Sequence, residues 1–130
     1  KKGVLVEVGC ETDFVGNSDD FQAFVKDVCL QIVSSEDTRY VAIADVPDDV
    51  REAELDIYRK QASEEGKPEA VQVKIAEGRL RKWYEMVCLL EQPWFRDEDL
   101  TVEKARAALA AKVGENVEIK RFARYELGRD

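Results

Sequence analysis

The side chains that most often carry out enzyme chemistry are scarce in this chain. Its 130 residues include no histidine, which removes the commonest general base, the commonest metal ligand and every Ser-His or Cys-His nucleophile pair. Neither phosphate-binding pattern, G-x-x-x-x-G-K-S/T or G-x-G-x-x-G, is present. The sequence therefore predicts a protein that is not an enzyme, and it gives no signal for a bound nucleotide or other cofactor.

Acidic residues are the remaining candidates for chemistry, because 28 Asp and Glu face 20 Lys and Arg. A two-carboxylate mechanism needs a pair of acids facing a substrate. The clusters Asp48-Asp49 and Asp97-Glu98-Asp99 are instead typical of solvated helix starts and loops. A small enzyme that uses such pairs remains one alternative, and an acid pair facing a pocket would be its sign.

The three cysteines, Cys10, Cys29 and Cys88, are odd in number and widely spaced. They form no C-x-x-C pair that would build a zinc site. We expect reduced thiols in a cytosol-like compartment, packed as small hydrophobic side chains.

Charge and hydropathy exclude two kinds of partner. The net charge of -8 repels phosphate-rich molecules at long range, so we expect no direct contact with nucleic acid. No apolar run approaches the roughly 20 residues of a membrane-spanning helix, so we expect no membrane partner.

Two segments are unusual. In Thr12-Asp13-Phe14-Val15 an acid stands beside a large aromatic, and in the tail from Lys120 to Tyr125 aromatic and basic residues are interleaved. A phenylalanine is usually a core residue, and the tail can be an ordinary two-sided strand. On the residues alone, structural and functional interpretations of both segments stay open.

Elements that would position these segments follow from periodicity. Alternating valines over residues 4–8 predict a strand. Ser18, followed by two aspartates, predicts the N-cap of a helix. The apolar face of that helix has helical spacing: Phe21, Phe24, Val25, Val28 and Ile32.

Proline and glycine divide the middle of the chain into two long helices. Pro47 and Pro68 suit helix starts, and Gly66 suits a left-handed cap between the helices. We predict an antiparallel helical hairpin over about residues 48–86, with its tip in solvent. Residues 40–46 are predicted to be extended.

The last part of the chain completes an α+β fold. Thr101 predicts the cap of a fourth helix, and residues 117–127 alternate as a strand. With a third strand near residues 87–92, we predict a small antiparallel sheet of about three strands packed with helices. All of residues 1–130 are assigned to a single domain, with the hairpin inserted in it.

The strand and the unusual turn after it match a family pattern. The run V-E-V-G-C-E-T-D-F-V from Val6 to Val15 resembles the V-E-V-N-C-E-T-D-F-V signature of elongation factor Ts. Further blocks resemble the family in the same order, so that the resemblance covers essentially the whole chain: residues 66–69, 77–80, 89–93, 114–116 and 121–128.

The resemblance implies a translation elongation factor that acts as a guanine nucleotide exchange factor. Such a protein binds GDP-bound elongation factor Tu and promotes GDP release by dislodging Mg²⁺, without a cofactor of its own. The implied partner-binding residues are Thr12, Asp13, Phe14 and Val15, with Asp13 and Phe14 acting as a wedge. The expected location is a bacterial cytoplasm or an organelle of bacterial descent.

The length resembles the short form of the family, which is expected to work as a homodimer. The chain begins at Lys1 without methionine, so we expect a fragment that lacks the family's N-terminal helical domain and binds more weakly for that reason. There are departures from the family pattern. Gly9 replaces asparagine, Gly16-Asn17 replaces alanine and a basic residue, and Gln31 stands where many relatives carry a histidine that faces the partner.

The main alternative function is an interaction or dimerisation module without exchange activity. In that case the Thr12–Val15 segment is only a connection between strand and helix. A nucleotide-release assay distinguishes the two functions.

Overall fold

The computed structural model describes residues 1–128, and its elements form the α+β fold that the sequence predicts. Two short 3₁₀ turns, Ile43–Asp45 and Leu89–Glu91, separate longer elements. The helices and strands are, in chain order, β1 Lys2–Gly9, α1 Asp13–Gly16, α2 Asp19–Ser34, α3 Asp48–Glu64, α4 Glu69–Val87, β2 Pro93–Trp94, β3 Asp97–Thr101, α5 Val102–Val113 and β4 Glu118–Glu126.

The first and last strands, β1 and β4, pair antiparallel, as predicted. Their register changes by one residue, because Glu7 pairs with Arg121 whereas Val8 pairs with Ile119. Lys120 is thus the extra residue of a β-bulge. The bulge reverses the two faces of β4 beyond Lys120, so the uninterrupted alternation predicted for the tail is wrong there.

Helix α2 backs this sheet and supplies much of the core. The Ser18 hydroxyl accepts a hydrogen bond from the Phe21 amide at 3.3 Å, which confirms the predicted cap. The inward residues of α2 pack with side chains from β2, α5 and β4 in one cluster, whose members include Phe21, Phe24, Val28, Ile32, Trp94, Val102, Leu109 and Ile119.

Helices α3 and α4 form the predicted hairpin. Gly66 lies between them with φ of 77°, in the left-handed region that favours glycine. Arg79 joins the two arms through Gln61 and Glu65, each at 3.0 Å. A separate apolar cluster around Leu80 and Trp83 packs the base of the hairpin. The tip, residues 63–71, is exposed.

The predicted third strand near residues 87–92 is wrong. Helix α4 continues to Val87, and a 3₁₀ turn follows. Backbone hydrogen bonds join this turn to residues 40 and 41, with a single bridge from Tyr40 to Cys88. A second two-stranded sheet forms instead from β2 and β3, and it takes in the acids Asp97–Asp99 that were predicted to be in a loop or helix start.

Candidate functional site

The Thr12–Val15 segment forms a capped turn directly after β1. Thr12 is the N-cap of α1, and its Oγ1 accepts a hydrogen bond from the Val15 amide at 3.2 Å. Asp13 occupies the first turn, where an acid is favoured by the helix dipole. Threonine is a preferred cap because its hydroxyl satisfies an amide that has no partner within the helix.

The turn points its two apolar side chains in opposite directions. Phe14 is 88% exposed, the most of any large hydrophobic side chain in residues 1–128, whereas Val15 is 4% exposed and belongs to the core cluster. Phe14 is therefore not a core residue. Of the four predicted partner-binding residues, Thr12, Asp13 and Phe14 are exposed and Val15 is internal.

Neighbouring polar groups fix the turn on its C-terminal side. The Ser18 hydroxyl donates to the Val15 carbonyl at 2.6 Å, and Gln22 Nε2 donates to the Gly16 carbonyl at 2.7 Å. On the N-terminal side, the Cys10 thiol donates to the Thr12 carbonyl at 3.3 Å. These bonds hold α1 to α2 and to the end of β1.

One further residue of the site comes from the loop between α5 and β4. The Glu115 carboxylate accepts hydrogen bonds from the amides of Glu11 and Thr12 and from the Thr12 hydroxyl. Sequence reasoning did not assign Glu115 to the site, because more than 100 residues separate it from Thr12. The only signal was that Gly114-Glu115-Asn116 belongs to the same pattern of spaced blocks as the turn.

Metal-binding clusters and reactive thiols are two further kinds of candidate site. In the part of the chain that the structure describes, no group of three or more His, Cys, Asp or Glu side chains is arranged to hold a metal ion. Burial raises the pKa of the Cys88 thiol to about 11, and it also raises the pKa of Cys29. Neither thiol is thereby activated as a nucleophile. What the turn presents to solvent is an aromatic ring beside a carboxylate.

The pattern of blocks that includes this turn extends along the chain. The family model described as elongation factor TS matches residues 3–129. The chain belongs to the elongation factor Ts family. This confirms the resemblance drawn from the sequence.

Three relatives, each named elongation factor Ts, give the extent of the similarity. The protein of Caldanaerobacter subterraneus is 51% identical over 97% of this chain and 62% of its own length. That of Carboxydothermus hydrogenoformans is 49% identical over 97% and 58%. That of Geobacter metallireducens is 49% identical over 98% and 59%. The chain thus spans about three fifths of the length of the curated relatives that it matches.

Gln31, a departure from the pattern of elongation factor Ts, lies inside the molecule at 4% exposure. Its Nε2 donates to Gln92 Oε1 at 3.0 Å and to the Pro93 carbonyl at 3.2 Å, and its Oε1 accepts from the Phe95 amide at 3.0 Å. The side chain therefore ties α2 to β2. It does not face solvent as the resemblance implied for the histidine of relatives.

The two glycine departures differ in the space around them. A Cβ at Gly16 would meet Cys10 Sγ at 3.5 Å, which is ordinary contact, so the alanine common in elongation factor Ts would fit. A Cβ at Gly9 would lie 2.8 Å from Cε of Lys120. Because that carbon is near the end of a flexible side chain, an asparagine at this position requires only that Lys120 move.

The sheet carries a second exposed apolar surface. Leu5 and Tyr125, at 75% and 74% exposure, lie on the face turned away from α2. Leu5 pairs with Ala123 across the ladder, and an ion pair between Glu7 and Arg121 at 2.8 Å borders this face. We name Leu5, Ala123 and Tyr125 the outer sheet face.

None of the helices within residues 1–128 has the length and hydropathy that a membrane-spanning helix needs.

Proposed function

We propose that this chain acts in translation elongation as a guanine nucleotide exchange factor. It binds elongation factor Tu in its GDP-bound form and promotes GDP release, in a bacterial cytoplasm or an organelle of bacterial descent. Membership of the elongation factor Ts family supports this proposal. The single observation that carries it is the Phe14 ring, which is 88% exposed on a turn whose backbone is held by three other parts of the chain.

The proposed mechanism is a wedge. The Phe14 ring enters between helices of the partner's nucleotide-binding domain, and the displacement dislodges the Mg²⁺ that bridges protein and phosphates. A Mg²⁺ site demands near-ideal octahedral geometry, so a small displacement of its ligands weakens metal and nucleotide binding together. By thermodynamic reciprocity, GDP weakens binding of the exchange factor by the same ratio, and the ternary complex is short-lived.

Burial of the ring is large enough to matter. Transfer of a phenylalanine side chain from water to an apolar site contributes about 1.5–3 kcal/mol. That corresponds to about a 10- to 150-fold change in an equilibrium constant. If this contact forms only with the GDP-free conformation of the partner, it shifts the partner by that factor toward nucleotide release.

The four residues of the turn take different parts in this proposal. Phe14 supplies the ring and Asp13 supplies an exposed charge beside it. Thr12 shapes the turn through its cap, and Val15 anchors the turn in the core. Partner contact is therefore assigned to Asp13 and Phe14, and support to Thr12 and Val15.

We also propose that the protein is a homodimer formed through the outer sheet face. An exposed apolar face on a sheet covered on its other side by a helix is typical of a surface that a partner buries. A two-fold interface would place the same face of both subunits in contact. A dimer would also cover the exposed Leu127 beside this face.

The test is release of labelled GDP from elongation factor Tu, with and without this chain. The proposal predicts faster release that saturates with the concentration of the chain and needs no chemical turnover. A chain that binds elongation factor Tu without faster GDP release would instead be an interaction module. If the chain neither binds elongation factor Tu nor speeds GDP release, the proposal is wrong.

A further inference from the structure

Glu115 lies in the loop after α5 and reaches across to the candidate site. Its Oε1 accepts from the amides of Glu11 and Thr12, each at 3.0 Å, and its Oε2 accepts from the Thr12 hydroxyl at 2.6 Å. Among residues 1–128, these are all the hydrogen bonds of this carboxylate, and no Lys or Arg pairs with it. Its interactions are thus dedicated to the start of the turn.

The loop that carries Glu115 is itself fixed. Gly114 ends α5 in the left-handed conformation, with φ of 72°. Arg106 Nη1 donates to the Val117 carbonyl at 2.8 Å, and Val117 is fully buried. The loop is therefore fixed by the cap of α5 on one side of Glu115 and by buried Val117 on the other.

The hydrogen bond to the Thr12 hydroxyl also orients the helix cap. A hydroxyl has one proton to donate and two lone pairs that accept. Because the proton of Thr12 is directed to Glu115, its oxygen is left to accept from the Val15 amide at 3.2 Å. The carboxylate thereby selects the one orientation of the hydroxyl that caps α1.

Helix α1 needs such support from outside. It has four residues, and its own backbone bonds are those from the Gly16 and Asn17 amides to the Thr12 and Asp13 carbonyls. A helix this short is not stable by itself, since its first turn fixes several torsion angles for few hydrogen bonds. With an exposed side chain, Phe14 cannot supply the missing order through packing.

We propose that Glu115 is a positioning residue for the exchange reaction. Glu115 orders the Thr12–Val15 turn, so that Phe14 is already in its binding conformation when the GTPase partner arrives. This inference rests on the proposed function. A side chain that is already ordered before a partner binds contributes more affinity than one that must be ordered on contact. The apparent affinity falls in proportion to the fraction of molecules in the binding conformation.

Loss of Glu115 would act on the site more than on the fold. The Glu11 and Thr12 amides lie at exposed residues, so water can replace the carboxylate when it is removed. A variant can therefore keep its thermal stability and still lose the order of the turn. This separates a positioning role from a purely structural one.

The experiment compares Glu115→Ala and Glu115→Gln with the control Glu118→Ala, which removes an exposed carboxylate three residues along the chain. The first readout is amide hydrogen exchange at Glu11 and Thr12 in the isolated protein. The second is stimulated GDP release from elongation factor Tu. We expect Glu115→Ala to speed this amide exchange and slow release, each by about tenfold or more, since hydrogen bonds to charged groups are the stronger ones.

The glutamine variant should restore part of both losses, because its amide oxygen can still accept from both backbone amides. The control should behave as wild type. Protected amides in Glu115→Ala, or wild-type release from a folded Glu115→Ala, would overturn the inference. If only this inference fails, wild type and Glu115→Ala stimulate GDP release from elongation factor Tu equally. If the proposed function fails, the wild type itself does not stimulate release.

A second pair of variants keeps the test decisive if Glu115→Ala does not fold. Thr12→Val removes the hydroxyl that Glu115 orients, and Thr12→Ser retains it. We expect GDP release from elongation factor Tu to be slower with the valine variant than with the serine variant, because only the serine variant keeps the hydroxyl. Equal release from the two would overturn the link between the carboxylate and the cap.

Discussion

The Thr12–Val15 turn and the hairpin tip are both short, exposed reversals, but they are held in different ways. The tip is tied by contacts within the hairpin itself, such as the Lys67 amide to the Ala62 carbonyl at 3.2 Å and Arg79 to Glu65 at 3.0 Å. The turn is tied to β1, to α2 and to the distant loop that carries Glu115. Exposure is common to both, and long-range order distinguishes the turn.

This difference matters for binding. An exposed side chain on a mobile segment must be ordered when a partner binds, which reduces the net affinity. A side chain on a segment that is already ordered avoids this cost. The turn is therefore better suited than the tip to hold a side chain that must displace groups of a binding partner.

The largest expected effect is that of Phe14→Ala. We expect stimulated GDP release to fall by about tenfold or more, because burial of the ring contributes about 1.5–3 kcal/mol. The free energy of unfolding should change by no more than about 0.5 kcal/mol, since the ring is exposed in the free protein. Thermal unfolding and GDP release are measured on the same preparation.

Phe24→Ala is the matched comparison, because this phenylalanine is 7% exposed and lies in the core of α2. It should destabilise the fold by about 3–5 kcal/mol. If Phe14→Ala is well folded and retains full exchange activity, the wedge mechanism is wrong.

The next effect concerns association through the outer sheet face. Tyr125→Asp should convert the proposed dimer to a monomer, because an aspartate there would have to be buried without a partner. Light scattering should then give 14.8 kDa, the mass of one chain, where the wild type gives about twice that value. The control is Ile57→Asp, at an exposed apolar position on the hairpin, which should leave the mass unchanged.

A wild-type protein that scatters as a monomer at high concentration would contradict the dimer. It would leave the prediction for Phe14 untouched, because the turn and the outer sheet face carry separate proposals.

Asp13→Asn, in the same turn, should have a smaller effect on stimulated GDP release. An exposed charge contributes about 0.2–1 kcal/mol, so stimulated GDP release should fall by no more than about fivefold. Asp19→Asn, in the first turn of α2, provides a control at another exposed helix start. A loss from Asp13→Asn as large as that from Phe14→Ala would show that the charge contributes as much to release as the ring, which contradicts a wedge that acts mainly by volume.

The smallest effect is expected at the hairpin tip. Lys67→Ala should leave GDP release unchanged, and a deletion within the tip should leave the fold intact. Amides of residues 62–70 should exchange with solvent faster than those of β1, because few contacts from outside the hairpin protect them. If they are as protected as the strand, the hairpin is not a locally held element and the comparison fails.

Local signals predicted much of the fold. Ser18, Gly66 and Thr101 each act through their own backbone or through residues within one turn, and all three are found in their predicted roles. The two strands β1 and β4, and their place in one antiparallel sheet, were also predicted from alternation, whereas their direct pairing and the bulge at Lys120 were not. An alternating pattern does not reveal where one strand has an extra residue.

The errors and omissions involve contacts between distant parts of the chain. Residues 87–92 read as a strand because their hydrophobicity does not show that Leu89 and Leu90 bond to the backbone at residues 40 and 41. Gln31 is internal only because Gln92 and Pro93 are folded against it. Glu115 supports the candidate site through contacts across more than 100 residues.

The bulge at Lys120 changes which residues of β4 face inward, from odd-numbered before it to even-numbered after it. Before it, Ile119 faces inward. After it, Phe122 and Arg124 face inward. The Arg124 guanidinium donates to backbone carbonyls in the last turn of α2 and in the segment that follows it, those of Ile32, Ser35, Glu36 and Thr38. If Lys120 were part of an uninterrupted ladder, strict alternation from Ile119 would turn Phe122 and Arg124 outward and the apolar Ala123 and Tyr125 toward α2. The one-residue insertion in the strand, and not only its composition, thus encodes which surface is offered to another molecule.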